Sequence, residues 1–505
     1  MIFMLPLVAT VFAIEPPKYT ISKETTYITG PLRADGVVDY VASLNEPLKS
    51  IKPEDNAAVL LVQALGEEAA SKKIAAEYYR LLKCEPPSEK GTYLVDFHEF
   101  LKRKGLDEDE SAKKAFDRGL NAPWKPSQEP LVEEWLQLNE RPLALAVEAT
   151  RRPRCVAPYL SSNDPPMMIG VELGMAQGCR IVARLLKARA MRSGGEGKLE
   201  SAFKDVDALH RLATLLGRDS KSIFEDLVAI ALRGIAFHAE KTLAFTGKPS
   251  DDLLRRRIAL TLALPRSVEI VERIDQWERL AILNGTLYSI VYGGKILGKQ
   301  NAPPPTGLDG EFIDEALRTV NRWIDRYVEA IRAKPGSGAK TVADLEDELS
   351  EKTRRIEERK KTFFLFRPSV TPHPRGPKAA AGESYAEVML GLLFPAFNMA
   401  TQAKIRTVAV QRQTALVFAI ALYKQKRGSY PTKLDAAELG VPIEATIDPF
   451  VQKPFVFETK EGKRRIISTG PDGVVGPRNK PNANDLTPAD RATMPRVDDI
   501  VLELP

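Results

Sequence analysis

Ala415-Leu-Val-Phe-Ala-Ile-Ala-Leu-Tyr423 is apolar nearly all round and runs into Lys424-Gln-Lys-Arg-Gly-Ser-Tyr-Pro431. A helix of that composition is buried on most sides, and proline cannot continue it. Downstream the apolar residues change period, from a helical stripe to every second position. Residues 454–459 and 464–469 alternate like strands, with Glu461-Gly462 placed for a turn. At the end, Ile500, Leu502 and Leu504 share one face, and Val501 and Glu503 take the other. A long helix over residues 384–426 laid on a three-stranded antiparallel sheet buries both apolar faces. The chain is therefore expected to close with a small α+β module, residues 384–505.

Upstream the text is helical. Three-and-four spacing marks residues 37–48, 53–65, 72–82, 97–104 and 131–150, and later 251–264, 267–292, 312–333 and 342–361. The clearest pair carries the stripes Leu199, Phe203, Val206, His210, Ala213 and Ile223, Leu227, Ala231, Gly234, His238. Gly217-Arg-Asp-Ser-Lys221 joins them into an antiparallel hairpin. Gly170, Gly174 and Gly178 stand four apart. Glycine costs about 1 kcal/mol against alanine inside a helix, so this stripe predicts a backbone in close approach. The fold class is thus mostly α: an irregular helical array over residues 31–365, with subdivisions near 121–165 and 300–308, then a proline-rich linker at 366–383 and the module.

Residues 1–14 are uncharged and precede Glu15-Pro16-Pro17. They resemble the apolar part of a secretory signal, which implies export to the periplasm or cell envelope; the alternative is an apolar segment packed on the body. No other stretch reads as a transmembrane span. Residues 388–403 are uncharged but shorter than the ~20 residues a bilayer needs, and they contain Pro395, Asn398 and Gln402. Lys and Arg exceed Asp and Glu by 73 − 67 = 6. The densest basic run, 352–378, is interrupted by glutamates and reads as a solvated face, so no nucleic-acid partner is expected. Cys84, Cys155 and Cys179 lack metal-type spacing. In an oxidising compartment Cys155 and Cys179 can bridge; otherwise all three are buried thiols.

Four blocks carry a resemblance: Ala421-Leu-Tyr-Lys-Gln-Lys-Arg-Gly-Ser-Tyr-Pro431, Asp448-Pro-Phe450, Lys453-Pro-Phe455 and Ser468-Thr-Gly-Pro-Asp-Gly473. In that order they resemble the soluble part of the major pseudopilins of type II secretion, over about a fifth of the chain. The resemblance implies a helix-plus-sheet docking module, with envelope or secretion-system proteins as partners. It also implies a calcium ion held by Asp472, Asp498 and Asp499 with loop carbonyls, since calcium takes six to eight oxygens. Gly36-Val-Val-Asp-Tyr-Val-Ala-Ser-Leu-Asn45, Asn56-Ala-Ala-Val59 and Asp205-Val-Asp-Ala-Leu-His-Arg-Leu212 are similar to a group of uncharacterised exported bacterial proteins. No activity follows from that likeness.

There is no nucleophile elbow, phosphate-cradling glycine loop or dinucleotide fingerprint. Asp96-Phe-His-Glu-Phe100 lacks the second histidine of a zinc-protease helix. His210 and His238 lie on facing arms of the hairpin. With the turn centred at Asp219 they stand about ten residues apart, or ~15 Å, too far to share a metal. His210, His238 and Glu240 are the candidate catalytic residues, and carboxylate pairs such as Asp205 and Asp207 read as ordinary surface charge. Three functions are weighed. One is an exported, non-catalytic interaction or scaffold protein with a docking module; another is a periplasmic hydrolase with its residues in the helical body; the third is a carbohydrate- or peptide-binding module. A pocket with convergent polar groups near His210, His238 or Glu240 marks the enzyme, and a broad groove or apolar patch marks the scaffold.

Overall fold

The computed structural model describes residues 18–265, 269–293, 309–333, 340–362, 373–391, 394–470, 473–475 and 499–504. The elements that matter here are, in chain order, α1 (Ala57–Leu65), α2 (Gly174–Gly195), α3 (Leu199–Asp219), α4 (Ile223–Leu243), α5 (Asp251–Leu262), α6 (Arg279–Val291), α7 (Gly310–Arg332), α8 (Pro377–Gly391), α9 (Phe394–Arg427), β1 (Val456–Lys460), β2 (Lys463–Ser468) and β3 (Ile500–Glu503). Two compact units share them, each discontinuous in sequence. The first holds Met1–Pro47, Tyr159–Glu172 and Ile274–Ala396; the second holds Leu48–Pro158, Leu173–Arg273 and Phe397–Pro505.

In the first unit, α7 buries Phe312, Leu317, Val320, Ile324 and Tyr327 along one face. A Cβ at Gly382 of α8 would sit 2.3 Å from the Phe312 carbonyl oxygen, so α7 and α8 meet backbone to backbone. The segment 20–25 is tied down by polar bonds. Asn321 donates to the Thr25 carbonyl at 2.8 Å, and Asp314 accepts from Thr20 N at 2.7 Å. Unbonded, these buried groups would each lose their full hydration without replacement.

In the second unit, α2, α3 and α4 pack side by side. Ser222 caps α4 in a reciprocal box with Glu225, which answers two otherwise orphaned backbone donors. The glycine stripe is shorter than the spacing suggested. Gly174 and Gly178 lie on α2, where their absent Cβ atoms make room for the Glu68 and Ala69 carbonyls and for Leu65. Gly170 falls in a separate 3-10 turn. All three cysteines are free, with Cys155 and Cys179 buried.

The closing module has the expected form, a helix and a three-stranded antiparallel sheet in the order β1-β2-β3. Phe457 pairs with Ile466 and Ile466 with Leu502. Glu461 and Gly462 both take positive φ, 52° and 78°, as a two-residue hairpin turn requires. Gln413 of α9 is wholly buried and donates to the carbonyls of Ile466 and Ile500, at 3.3 and 2.9 Å, pinning helix to sheet. Asp448 sets the turn into the sheet by accepting from Phe450 N at 3.0 Å and Thr469 N at 2.9 Å.

Residues 384–391 and 394–426 of the expected long helix are helical, in α8 and α9, and 392–393 lie outside the described residues. The expectation of no further membrane-length span fails. Met399–Arg427, 29 residues, has a stretch of mean hydropathy 1.2, long and apolar enough to cross a membrane. Length rules out residues 388–403 taken alone, whereas the stretch of membrane length lies further along α9. In the protein 61% of that stretch is buried. The signal-like segment 1–14 lies outside the described residues.

Candidate functional site

Three helices of the second unit converge on a buried ionic network. Asp207 and His210 stand three apart on α3, and so share a face. Glu240 comes from α4, and Arg257 and Thr261 from one face of α5. Glu240 is fully buried. It accepts from the Arg257 guanidinium, from Thr261 Oγ1 at 3.3 Å, and its Oε2 lies 3.1 Å from His210 Nε2. Arg257, itself buried, also donates to Asp207 Oδ1 at 2.6 Å and lies 4.7 Å above the Phe203 ring. The His210 ring packs against Phe237 at 5.1 Å.

The electrostatics follow from these contacts. Burial on its own drives the Glu240 carboxyl up. His210 and then Arg257 outweigh it, and the net position is below the ordinary glutamate value. Burial likewise works against the Arg257 charge, but Glu240 and Asp207 more than offset it. With Glu240 ionised, His210 donates from Nε2. His210 Nδ1 is buried and without a hydrogen-bond partner.

The hairpin register explains why Glu240 reaches His210. The place for a Cβ on Gly217 lies 3.2 Å from the Ala229 Cβ, so the arms are centred midway, at Ile223, not at Asp219. His210 then faces Ala236, one turn from Glu240. Helical side chains lean toward the N-terminus of their own helix. In this antiparallel pair His210 leans away from the turn and Glu240 toward it, and they meet. His238 precedes Glu240 by two residues, about 200° round the helix. It is exposed on the other side of α4. Partial desolvation of its ring, then the charges of Lys187 and Lys241, push its pKa down to about 4. The structure thus joins two of the three candidate residues and separates the third.

Asp207, His210, Arg257 and Thr261 line a pocket of 410 Å³. Leu215, Leu260, Leu264 and Pro265 form its apolar side, and Thr150, Arg152, Pro153, Arg211, Thr214 and Arg218 complete it. Sequence reasoning missed Arg257 and Thr261 and set Asp207 aside. The available signal was the helical spacing of Asp207 with His210 and of Arg257 with Thr261. The first unit has a larger cleft of 1460 Å³, where Arg279 faces Asp275 and Asp325. Three more of its cations, Arg318, Arg322 and Arg375, gather on buried Glu315.

Among the described residues no three His, Cys, Asp or Glu side chains gather as a metal site. Of the calcium set, Asp472 and Asp498 lie outside the described residues, and Asp499 precedes β3. No protein-family model, curated protein or solved structure matches the chain.

Proposed function

We propose that this is an interaction protein of the cell envelope whose helical body holds a receptor pocket for a small molecule. One observation carries the reading. Asp207, His210, Arg257 and Thr261 of the ionic network line an open pocket, while Glu240, which they hold, is fully buried and does not line it. Desolvating each ion costs several kcal/mol, and well-packed apolar side chains would often serve stability better. Charges placed so expensively beneath a pocket of ligand size are what a binding site requires.

The test uses the full chain and a compound library read by thermal unfolding. Leu260 is half exposed at the pocket, so Leu260→Trp fills the space without disturbing the core. Compounds that raise the Tm of the wild type are expected to leave Leu260→Trp unmoved. Equal shifts in both proteins would place the ligand elsewhere, and no shift with any compound would end the proposal.

A second reading rests on the partnerless Nδ1 of His210. A neutral imidazole oriented by a carboxylate can act as general base, which suits a hydrolase. A pocket near His210 and Glu240 is the feature expected of an enzyme. The burial of Nδ1 favours binding over turnover. Hydrolysis of any panel substrate, lost in His210→Gln and in Glu240→Gln, would reverse that order.

The α9 and β1–β3 module supplies the second half of the proposal, a docking surface. The agreement of helix, sheet and turn positions with the form implied by the pseudopilin resemblance supports it. Capture from envelope extracts with the intact chain, against one carrying Val501→Glu on the exposed face of β3, tests it. Identical partner recovery would sink the docking role of that face.

A further inference from the structure

The charges around the pocket point to a ligand class. Four arginines and one aspartate line it. Arg257 is matched by Asp207 and Glu240, and Arg218 by Asp219 at 2.7 Å. Arg152 and Arg211 are different. Arg152 spends Nη1 on the carbonyls of Pro53 and Asn56, at 2.8 and 2.9 Å. Arg211 reaches only Thr150 Oγ1, at 3.4 Å. Among the described residues neither guanidinium meets a carboxylate. Two cations without counter-charge therefore face one cavity whose buried wall already holds a fixed guanidinium, Arg257.

We infer that the pocket takes a small amphipathic anion, with a carboxylate or phosphate head on Arg152 and Arg211 and an apolar body against Leu215, Leu260, Leu264 and Pro265. This rests on the receptor-pocket reading above. A planar guanidinium offers paired N–H donors that match two oxygens of either head. Leu260 is exposed by 50%, and a hydrocarbon body covers it. Asp207, only partly covered and engaged through one oxygen by Arg257, repels a second anionic group near the floor. The ligand is accordingly singly headed. The pocket volume of 410 Å³ suits a body the size of a phenyl ring with a short chain.

The test uses the full-length protein and matched pairs: phenylbutyrate with its amide, and phenyl phosphate with phenol. Titration calorimetry at low salt is expected to show each acid binding about tenfold or more tightly than its neutral partner, the size of one charge-assisted hydrogen bond. Preference for phenyl phosphate over phenylbutyrate, or the reverse, separates the two head groups. Arg211 is exposed and makes one long bond, so Arg211→Gln folds and is expected to erase the preference while keeping the weak neutral binding. Neutral partners that bind as well as the acids, or a preference that persists in Arg211→Gln, would overturn the anion assignment and leave the pocket as a receptor for another class. Absence of any binding that Leu260→Trp abolishes would remove the receptor pocket itself, and the anion with it.

Discussion

The sheet of the closing module and the floor of the pocket belong to the same unit, yet they are held by opposite means. In the sheet, Ile466, Leu502 and Leu504 are buried by alternation against the apolar run of α9. In the floor, the buried groups are a carboxylate, a guanidinium and an imidazole drawn from three helices. The apolar contacts are non-directional, so removing one leaves the others intact. The ionic contacts are reciprocal, so removing one partner strands the rest. The two regions should therefore fail differently.

The largest effect is expected at Glu240. Glu240→Ala leaves Arg257 and His210 buried without their acceptor, and breaking a buried pair in this way costs about 3–5 kcal/mol. Chemical denaturation of the full chain measures it. The double variant Glu240→Leu with Arg257→Met removes both charges and is expected to recover most of that loss. A double variant no more stable than Glu240→Ala would mean that the network is held by packing, and the contrast with the sheet would disappear.

Ile466→Ala is the matching probe in the sheet. It is wholly buried between β1 and β3, and its truncation should cost about 3 kcal/mol. No second polar substitution rescues it, because the loss is contact area plus a cavity. Denaturation of Ile466→Ala alone and with Gln413→Leu checks this. Recovery in the double variant would show that the Gln413 bonds, and not the apolar face, fix the sheet on α9.

The same contrast decides what was legible in the sequence. The module could be read because its signals are local: alternation in 500–504, Glu461-Gly462 at the turn, Tyr430-Pro431 after the helix. The hairpin of α3 and α4 was legible for the same reason. Its register was not, since Gly217 packing on Ala229 is a tertiary fact, and moving the centre from Asp219 to Ile223 changes the position facing His210 from 228 to 236, one turn from Glu240. Arg257 was invisible because nothing in α5 announces that one arginine among three consecutive ones turns inward. The membrane-length apolar stretch in α9 was missed because its apolar runs are divided by Lys404, Arg406 and Arg412.

Acid should separate the regions next. Glu240 is held below its ordinary value of 4.5 in the folded protein. Its contribution is therefore full above that value and is lost as pH falls through the lower, folded one. As pH falls below about 4.5 the wild type should lose stability more steeply than Glu240→Gln, as read by denaturation midpoints. Glu503, exposed on β3, is also held low, by Lys463 and Arg465. Screening in about 0.5 M salt should flatten its share and spare that of Glu240. Equal salt sensitivity of the two would show that the pocket floor is as wet as the strand edge.

The smallest effect tests what sets the register on which the site depends. Ser222 Oγ accepts from Glu225 N at 3.1 Å, closing the cap of α4. Ser222→Ala should cost about 1 kcal/mol by denaturation. Glu240 lies 17 residues beyond Ile223, or about 26 Å along the helix, so fraying of the first turn should not reach it. Affinity for a pocket ligand is expected to stay at the wild-type value. A fall in affinity alongside the small loss of stability would mean that the cap, and not the close contact of Gly217 with Ala229, sets how far α4 slides along α3. The meeting of His210 with Glu240 would then be a consequence of the turn instead of the packed faces.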